Sequence, residues 1–180
     1  MDSGEPGHAG VALPPVAADK PVRKDVKDLL PTPRKFTLVA GAGEGDTPLN
    51  AFDRALLAAG AGNVNLLKVS SILPPGAVYA EEIPLPAGAL VPVAYGALTS
   101  ATPGEIITAV VGVGIPEEGF GVIMEYSGRI SRKEAEEKMR RMVTEAFEVR
   151  GLTLARYLVR AVEHRVVKTG AVFAGVILWY

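Results

Sequence analysis

The sequence predicts an α+β fold: an αββα four-layer sandwich with mostly antiparallel or mixed sheets. Three observations predict it. About seven apolar, β-branched runs are separated by turn residues, while only two segments carry a helical apolar stripe, so there is no repeated βαβ alternation. Hydrophobic residues make up 48% but aromatics only 6%, so the core must be built mainly from Val, Leu, Ile and Ala. The last strand is apolar on both faces, which places it centrally in a covered sheet. Two sheets face to face, with a helix on each outer surface, account for all three.

Residues 1–34 stand apart. They hold Pro6, Pro14, Pro15, Pro21, Pro31 and Pro33, with charges at Lys20, Arg23, Lys24, Asp25, Lys27 and Asp28. Such a composition buries little apolar surface and reads as a flexible arm. It is either a plain disordered extension or an arm that binds a partner or embraces an oligomer. Val22, Val26, Leu29 and Leu30 could make one short amphipathic turn. Residues 35–180 read as a single domain.

Phe36-Thr37-Leu38-Val39-Ala40 is a buried strand, and Gly41-Ala42-Gly43-Glu44-Gly45 is expected to turn the chain. Thr47 and Pro48 start a helix as cap and first residue. Its stripe is Leu49, Phe52, Leu56 and Leu57, and Gly60 stops it. Residues 63–72 form a second strand, ended by Pro74-Pro75-Gly76. Residues 90–95 form a third, bent or on an edge at Pro92. Residues 106–113 and 120–126 supply two more. Ser131 and Glu134 make a capping box, followed by a stripe of Ala135, Met139, Met142, Val143, Ala146 and Phe147 up to Gly151. Residues 152–167 and 171–179 close the chain as two strands.

Composition excludes several chemistries. Nineteen basic against twenty acidic residues, net charge -1, give no basic excess for nucleic acid. The sequence has no cysteine, so disulfides, Cys-ligated zinc and thiol nucleophiles are absent. His8 and His164 are too few for a His-rich metal site; no metal is expected. No apolar run is long enough to span a bilayer, and residues 1–10 lack a signal-peptide core, so a cytoplasmic location is the default expectation. Gly41, Gly43 and Gly45 match neither the dinucleotide nor the phosphate-loop pattern. His164 reads as a sheet-face residue. No lysine has the context of a pyridoxal site, and none is expected.

The unusual local feature is Val69-Ser70-Ser71-Ile72-Leu73-Pro74-Pro75-Gly76, where two serines end a strand and run into a rigid turn. From spacing alone this is a strand terminus with capping hydroxyls. Asn63-Val64-Asn65-Leu66-Leu67-Lys68-Val69-Ser70-Ser71-Ile72-Leu73-Pro74-Pro75, however, resembles the self-cleavage segment of pyruvoyl-dependent arginine decarboxylases. Gly45-Asp46-Thr47-Pro48-Leu49-Asn50-Ala51-Phe52-Asp53, Gly88-Ala89-Leu90-Val91-Pro92, Ile123-Met124-Glu125-Tyr126 and Ala174 to Tyr180 resemble that family too, in the right order.

The resemblance implies that the chain cuts itself between Ser70 and Ser71, giving a β chain of residues 1–70 and an α chain of residues 71–180. Ser71 would become a covalently bound pyruvoyl group. That group would convert L-arginine to agmatine and carbon dioxide through a Schiff base, without pyridoxal or metal. Glu125 matches the family's proton donor, Asp53 its substrate-binding carboxylate and Asn65 a residue of self-processing. A carboxylate suits a guanidinium because it accepts two parallel N–H bonds. An amide donor suits a developing oxyanion. Read without the family, Glu125 is a strand-end charge, Asp53 an exposed helix acid and Asn65 a strand-end turn residue. The resemblance further implies a homotrimer or hexamer with active sites between subunits; the charge balance and the lack of a spanning apolar run predict no nucleic-acid or membrane partner. Two alternatives stand beside it: a pyruvoyl decarboxylase of another amino acid, such as histidine or lysine, and an unprocessed, non-catalytic assembly or binding homologue.

Overall fold

The computed structural model describes residues 31–180. The arm up to residue 30, with the amphipathic turn expected over Val22 to Leu30, lies outside the described residues. Strand β1, Lys35–Glu44, leads into helix α1, Pro48–Ala58. The Thr47 side chain accepts from Asn50 N–H, and Gly60 takes φ 75°, so both helix signals operate as the sequence predicts. Three short strands follow: β2 Asn65–Lys68, β3 Ile72–Leu73 and β4 Val78–Tyr79. Longer strands β5 Leu90–Ser100, β6 Ile106–Ile115 and β7 Gly121–Gly128 precede helix α2, Arg132–Val149. Ser131 and Glu134 form the expected reciprocal capping box at its start. Strands β8 Arg156–Arg165 and β9 Gly170–Trp179 complete the fold.

The strands make two sheets. One has the order β2-β5-β9-β1-β4 and is mixed, because β2 runs parallel to β5 and β4 parallel to β1. The other has the order β3-β7-β6-β8 and is antiparallel throughout. Phe36, Leu38, Val172, Ala174 and Val176 of the first sheet meet Ile107, Ala109, Val111 and Ile123 of the second in one buried layer. A second buried layer joins Ala51 and Ala55 of α1, with Ala59 at its C-terminal cap, to Ala171, Phe173 and Ile177. A third joins Met139, Val143 and Phe147 of α2 to Val110, Val122 and Ala161. These three layers define the αββα order. The doubly apolar strand, β9, is central, as expected.

Five expectations change. The face of α1 against the sheet is centred on Ala51 and Ala55, with Phe52 and Leu56 partly buried beside them, while Leu49 and Leu57 of the expected stripe are exposed. The strand expected over 63–72 is two strands in different sheets, β2 and β3, because the chain crosses from one sheet to the other between them. Gly41 and Gly43 extend β1 rather than turning the chain. Strand β5 is interior, not an edge. Its Pro92 is tolerated because the β9 ladder begins one residue later, at Val93↔Ile177. The bonds to β2 use the alternate residues, Asn65 N–H to Ala89 O and Val69 N–H to Val93 O. The strand expected over 152–167 is confined to 156–165, since Leu152 N–H closes the end of α2 by bonding Phe147 O.

Candidate active site

The Ser70–Ser71 peptide lies at the crossover between the two sheets. On its N-terminal side, Val69 N–H bonds Val93 O at 3.1 Å and continues the β2–β5 ladder. On its C-terminal side, Ile123 N–H bonds Ser71 O at 2.8 Å and begins the β3–β7 ladder. Ser70 is the one residue between the ladders, so the peptide is anchored to a different sheet at each end. The Pro74-Pro75-Gly76 turn follows at once, with Ala77 N–H bonding Pro74 O at 3.2 Å.

Ser71 and Leu73 share a strand face, and Leu73 belongs to the layer between the sheets. On β7, Ile123 belongs to that layer too, and Glu125 shares its face two residues on. The Ser71 hydroxyl therefore points toward Glu125 across the diagonal of an antiparallel pair. Ser71 Oγ–H donates to Glu125 Oε2 at 2.9 Å, between residues 54 apart in sequence. Both side chains are half-buried. A hydroxyl held on a carboxylate is a nucleophile beside its base. The nearest backbone carbonyl preceding that hydroxyl is Ser70's own. Its oxygen accepts from Ile72 N–H at 3.0 Å, closing a three-residue turn centred on Ser71.

The other two expected residues lie apart from this pair. Asp53 is exposed on α1, which covers the outer face of the first sheet. Asn65 opens β2, and its Nδ2 donates to Gly88 O at 2.9 Å, in the turn before β5. An extended strand rises about 3.3 Å per residue, so β2 carries the chain roughly 10 Å between Asn65 and Lys68 before the crossover begins. A cavity of about 760 Å³, lined by Thr37, Leu38, Ala59, Glu81, Glu82 and Arg160 among others, contains none of the four residues.

The sequence signals missed Glu44. It ends β1, and its carboxylate accepts from Val167, Lys168 and Thr169 N–H at 2.8, 3.0 and 3.0 Å. The His164 ring joins it at 2.6 Å. His164, expected on a sheet face of β8, thus helps to tie the β8–β9 turn to β1. Among the described residues no group of three or more His, Asp and Glu could hold a metal ion, and no helix is long and apolar enough to cross a membrane.

A family model described as pyruvoyl-dependent arginine decarboxylase (PvlArgDC) matches residues 35–177. A protein of that name from Methanocaldococcus jannaschii is 53% identical over 150 residues, covering 82% of this chain and 91% of that protein. Its namesake from Methanococcus aeolicus is 47% identical over 150 residues, covering 82% and 91%. The namesake from Pyrococcus horikoshii is 46% identical over 153 residues, covering 82% and 96%.

Proposed function

Since the chain belongs to the pyruvoyl-dependent arginine decarboxylase family, we propose that it makes a pyruvoyl group from its own Ser71 and uses it to convert L-arginine to agmatine and carbon dioxide. The observation that carries the reading is the 2.9 Å bond from Ser71 Oγ–H to Glu125 Oε2.

Self-processing begins when Ser71 Oγ attacks the Ser70 carbonyl carbon and its proton passes to Glu125. The Ser70 C–Ser71 N bond then breaks, the nitrogen takes that proton, and an ester remains. Loss of the Ser71 α-proton breaks the Cβ–Oγ bond and releases Ser70 as a carboxylate. The dehydroalanine left at position 71 tautomerises, takes up water and sheds ammonia, leaving a ketone. The fixed approach of hydroxyl to carbonyl supplies an effective molarity of about 10⁵–10⁸ M.

The residues present fit that group. The position-71 carbonyl is held by Ile123 N–H, so the ladder of β3 and β7 would fix the ketone beside it. The pyruvoyl ketone supplies an electrophile for the substrate's α-amine and a sink for the electron pair released with carbon dioxide. Glu125 Oε2 faces position 71 and is placed to hold the proton that replaces the departing carboxylate. Asp53 takes the guanidinium by paired N–H bonds, and Asn65 assists self-processing.

Asp53 and Asn65 lie apart from Ser71 in one protomer, which supports a homotrimer or hexamer whose sites draw on two subunits. Leu49, Leu57, Leu67 and Leu90, exposed at 76%, 50%, 44% and 62%, provide apolar surface for such contacts. The decisive experiment treats the matured protein with borohydride in the presence of labelled arginine. Label should attach to the fragment that begins at position 71, and Ser71→Ala should stay one uncut, unlabelled chain. A labelled wild-type fragment from elsewhere in the chain, or a cut Ser71→Ala protein, overturns the reading.

A further inference from the structure

We propose that the backbone N–H of Ile72 is the oxyanion donor of the self-cleavage step, a catalytic group that acts on Ser70 O. The inference rests on the cleavage reading above and assigns within it a backbone group beside the Ser71–Glu125 pair.

Attack by Ser71 Oγ turns the Ser70 carbonyl into a tetrahedral centre and places a full negative charge on Ser70 O. A donor aimed at that atom before reaction lowers the barrier, because the charge develops against an already oriented dipole. Asn65 is the side-chain amide nearest in sequence, but its Nδ2 is bonded to Gly88 O at the opposite end of β2. Ile72 N–H bonds Ser70 O at 3.0 Å in the uncut chain.

The strand pairing explains why this donor is free to serve. Ile72 pairs with Val122, and Ile123 N–H bonds Ser71 O. In an antiparallel ladder the bonded and non-bonded pairs alternate, so Ser71 opposite Ile123 is a bonded pair and Ile72 opposite Val122 is not. Ile72 N–H therefore points away from β7, toward the open edge of the sheet, since β3 is the outer strand. An edge N–H normally faces water; here the chain doubles back and sets the scissile carbonyl on it. Among the described residues no non-glycine residue has positive φ, so the turn is of the common inverse kind and holds this geometry without a left-handed residue. The nucleophile's base and the oxyanion donor then act on one peptide together, Glu125 on Ser71 Oγ and Ile72 N–H on Ser70 O.

The test separates the N–H from its side chain. Two full-length variants lack the donor: Ile72→Pro, and a backbone ester at position 72 introduced by nonsense suppression with the α-hydroxy analogue of isoleucine. Neither change removes a ladder bond. Ile72→Ala keeps the donor and trims a side chain that is 40% exposed. Cleavage is followed from freshly made precursor on denaturing gels, with mass spectrometry to distinguish cutting before residue 71 from hydrolysis of the introduced ester. Circular dichroism and thermal midpoints establish that each variant is folded. Loss of a single oxyanion donor is worth about 10²–10³-fold, so the proline and ester proteins should cut that much more slowly, with Ile72→Ala within a few fold of wild type. A folded donor-free variant that cuts at the wild-type rate overturns the inference while leaving self-cleavage intact. Equal slowing in Ile72→Ala overturns it as well, since the side chain would then be the cause. If wild-type precursor never cuts under the same conditions, the cleavage reading fails, and this inference with it.

Discussion

Glu44 holds the β8–β9 turn with a carboxylate against three successive backbone N–H groups, the arrangement in which an anion is best solvated by protein. Desolvation, the largest single influence, pushes its pKa up. The bond from Val167 N–H, then the His164 ring, then Lys168 and Thr169 N–H outweigh it and hold the group at about 2, below its ordinary 4.5. A carboxylate depressed on folding stabilises the native state above its unfolded pKa and loses that contribution as pH falls through the folded one. Urea midpoints should therefore drop between pH 4.5 and about 2 in the wild-type protein. Glu44→Gln should be weaker at pH 6 and flatter across that window; an unchanged slope would show that other carboxylates set the acid limit. This cluster was not legible in the sequence, because Glu44 and His164 are 120 residues apart and neither stands in a motif. Ser71 and Glu125 stand in segments that resemble the family, but no spacing rule shows that the hydroxyl of one rests on the carboxylate of the other.

The expected turn at Gly41, Gly43 and Gly45 shows the same limit for whole elements. Glycine normally interrupts a strand, so three at alternate positions read as a break. In the fold Gly41 and Gly43 put a bare backbone face on β1, Gly45 continues it just past the strand, and α1 lies directly against it. A Cβ on Gly41 would sit 2.4 Å from Ala55 O and 2.5 Å from Ala59 N, both backbone atoms that cannot swing aside. One on Gly43 would sit 2.5 Å from Arg54 Cβ. Close helix packing is a tertiary demand, and a local reading of the sequence has no term for it. The helix ends, by contrast, were legible from Thr47, Pro48, Gly60, Ser131 and Glu134, since capping is settled within one turn. Gly41→Ala should force α1 outward and cost about 1–3 kcal/mol of stability, the usual range for overpacking, measured as a lowered urea midpoint at constant slope. Because α1 carries Asp53, the proposed guanidinium ligand, the same variant should raise KM for arginine; a normal midpoint would mean that the helix shifts without cost.

At the scale of the molecule, the position of the cut decides how the parts must cooperate. The proposed cleavage after Ser70 would leave β1, α1 and β2 on one fragment and every other described element on the second. Strand β1 is bonded to β9 along its whole length and β2 to β5, so the first sheet would contain both fragments and survive such a cut. Ser71 stays with the antiparallel sheet, whereas Asp53 and Asn65 stay with the mixed one. A site that joins the two across a subunit boundary makes a prediction that a site within one protomer does not. On the proposed roles, Ser71→Ala protein should keep Asp53 but form no ketone, and Asp53→Ala protein should form the ketone but bind arginine poorly. Each alone should be nearly inactive at low arginine. Co-expressed in equal amounts, they should assemble into mixed closed oligomers, in which about a quarter of the boundaries pair a ketone from one variant with an intact Asp53 from its neighbour. Agmatine formation should then recover to about that fraction of wild type at low arginine, and mixing the separately purified, non-exchanging proteins should recover none. No recovery on co-expression, with mixed oligomers demonstrated by differently tagged subunits, would place Asp53 and Ser71 in the site of a single protomer.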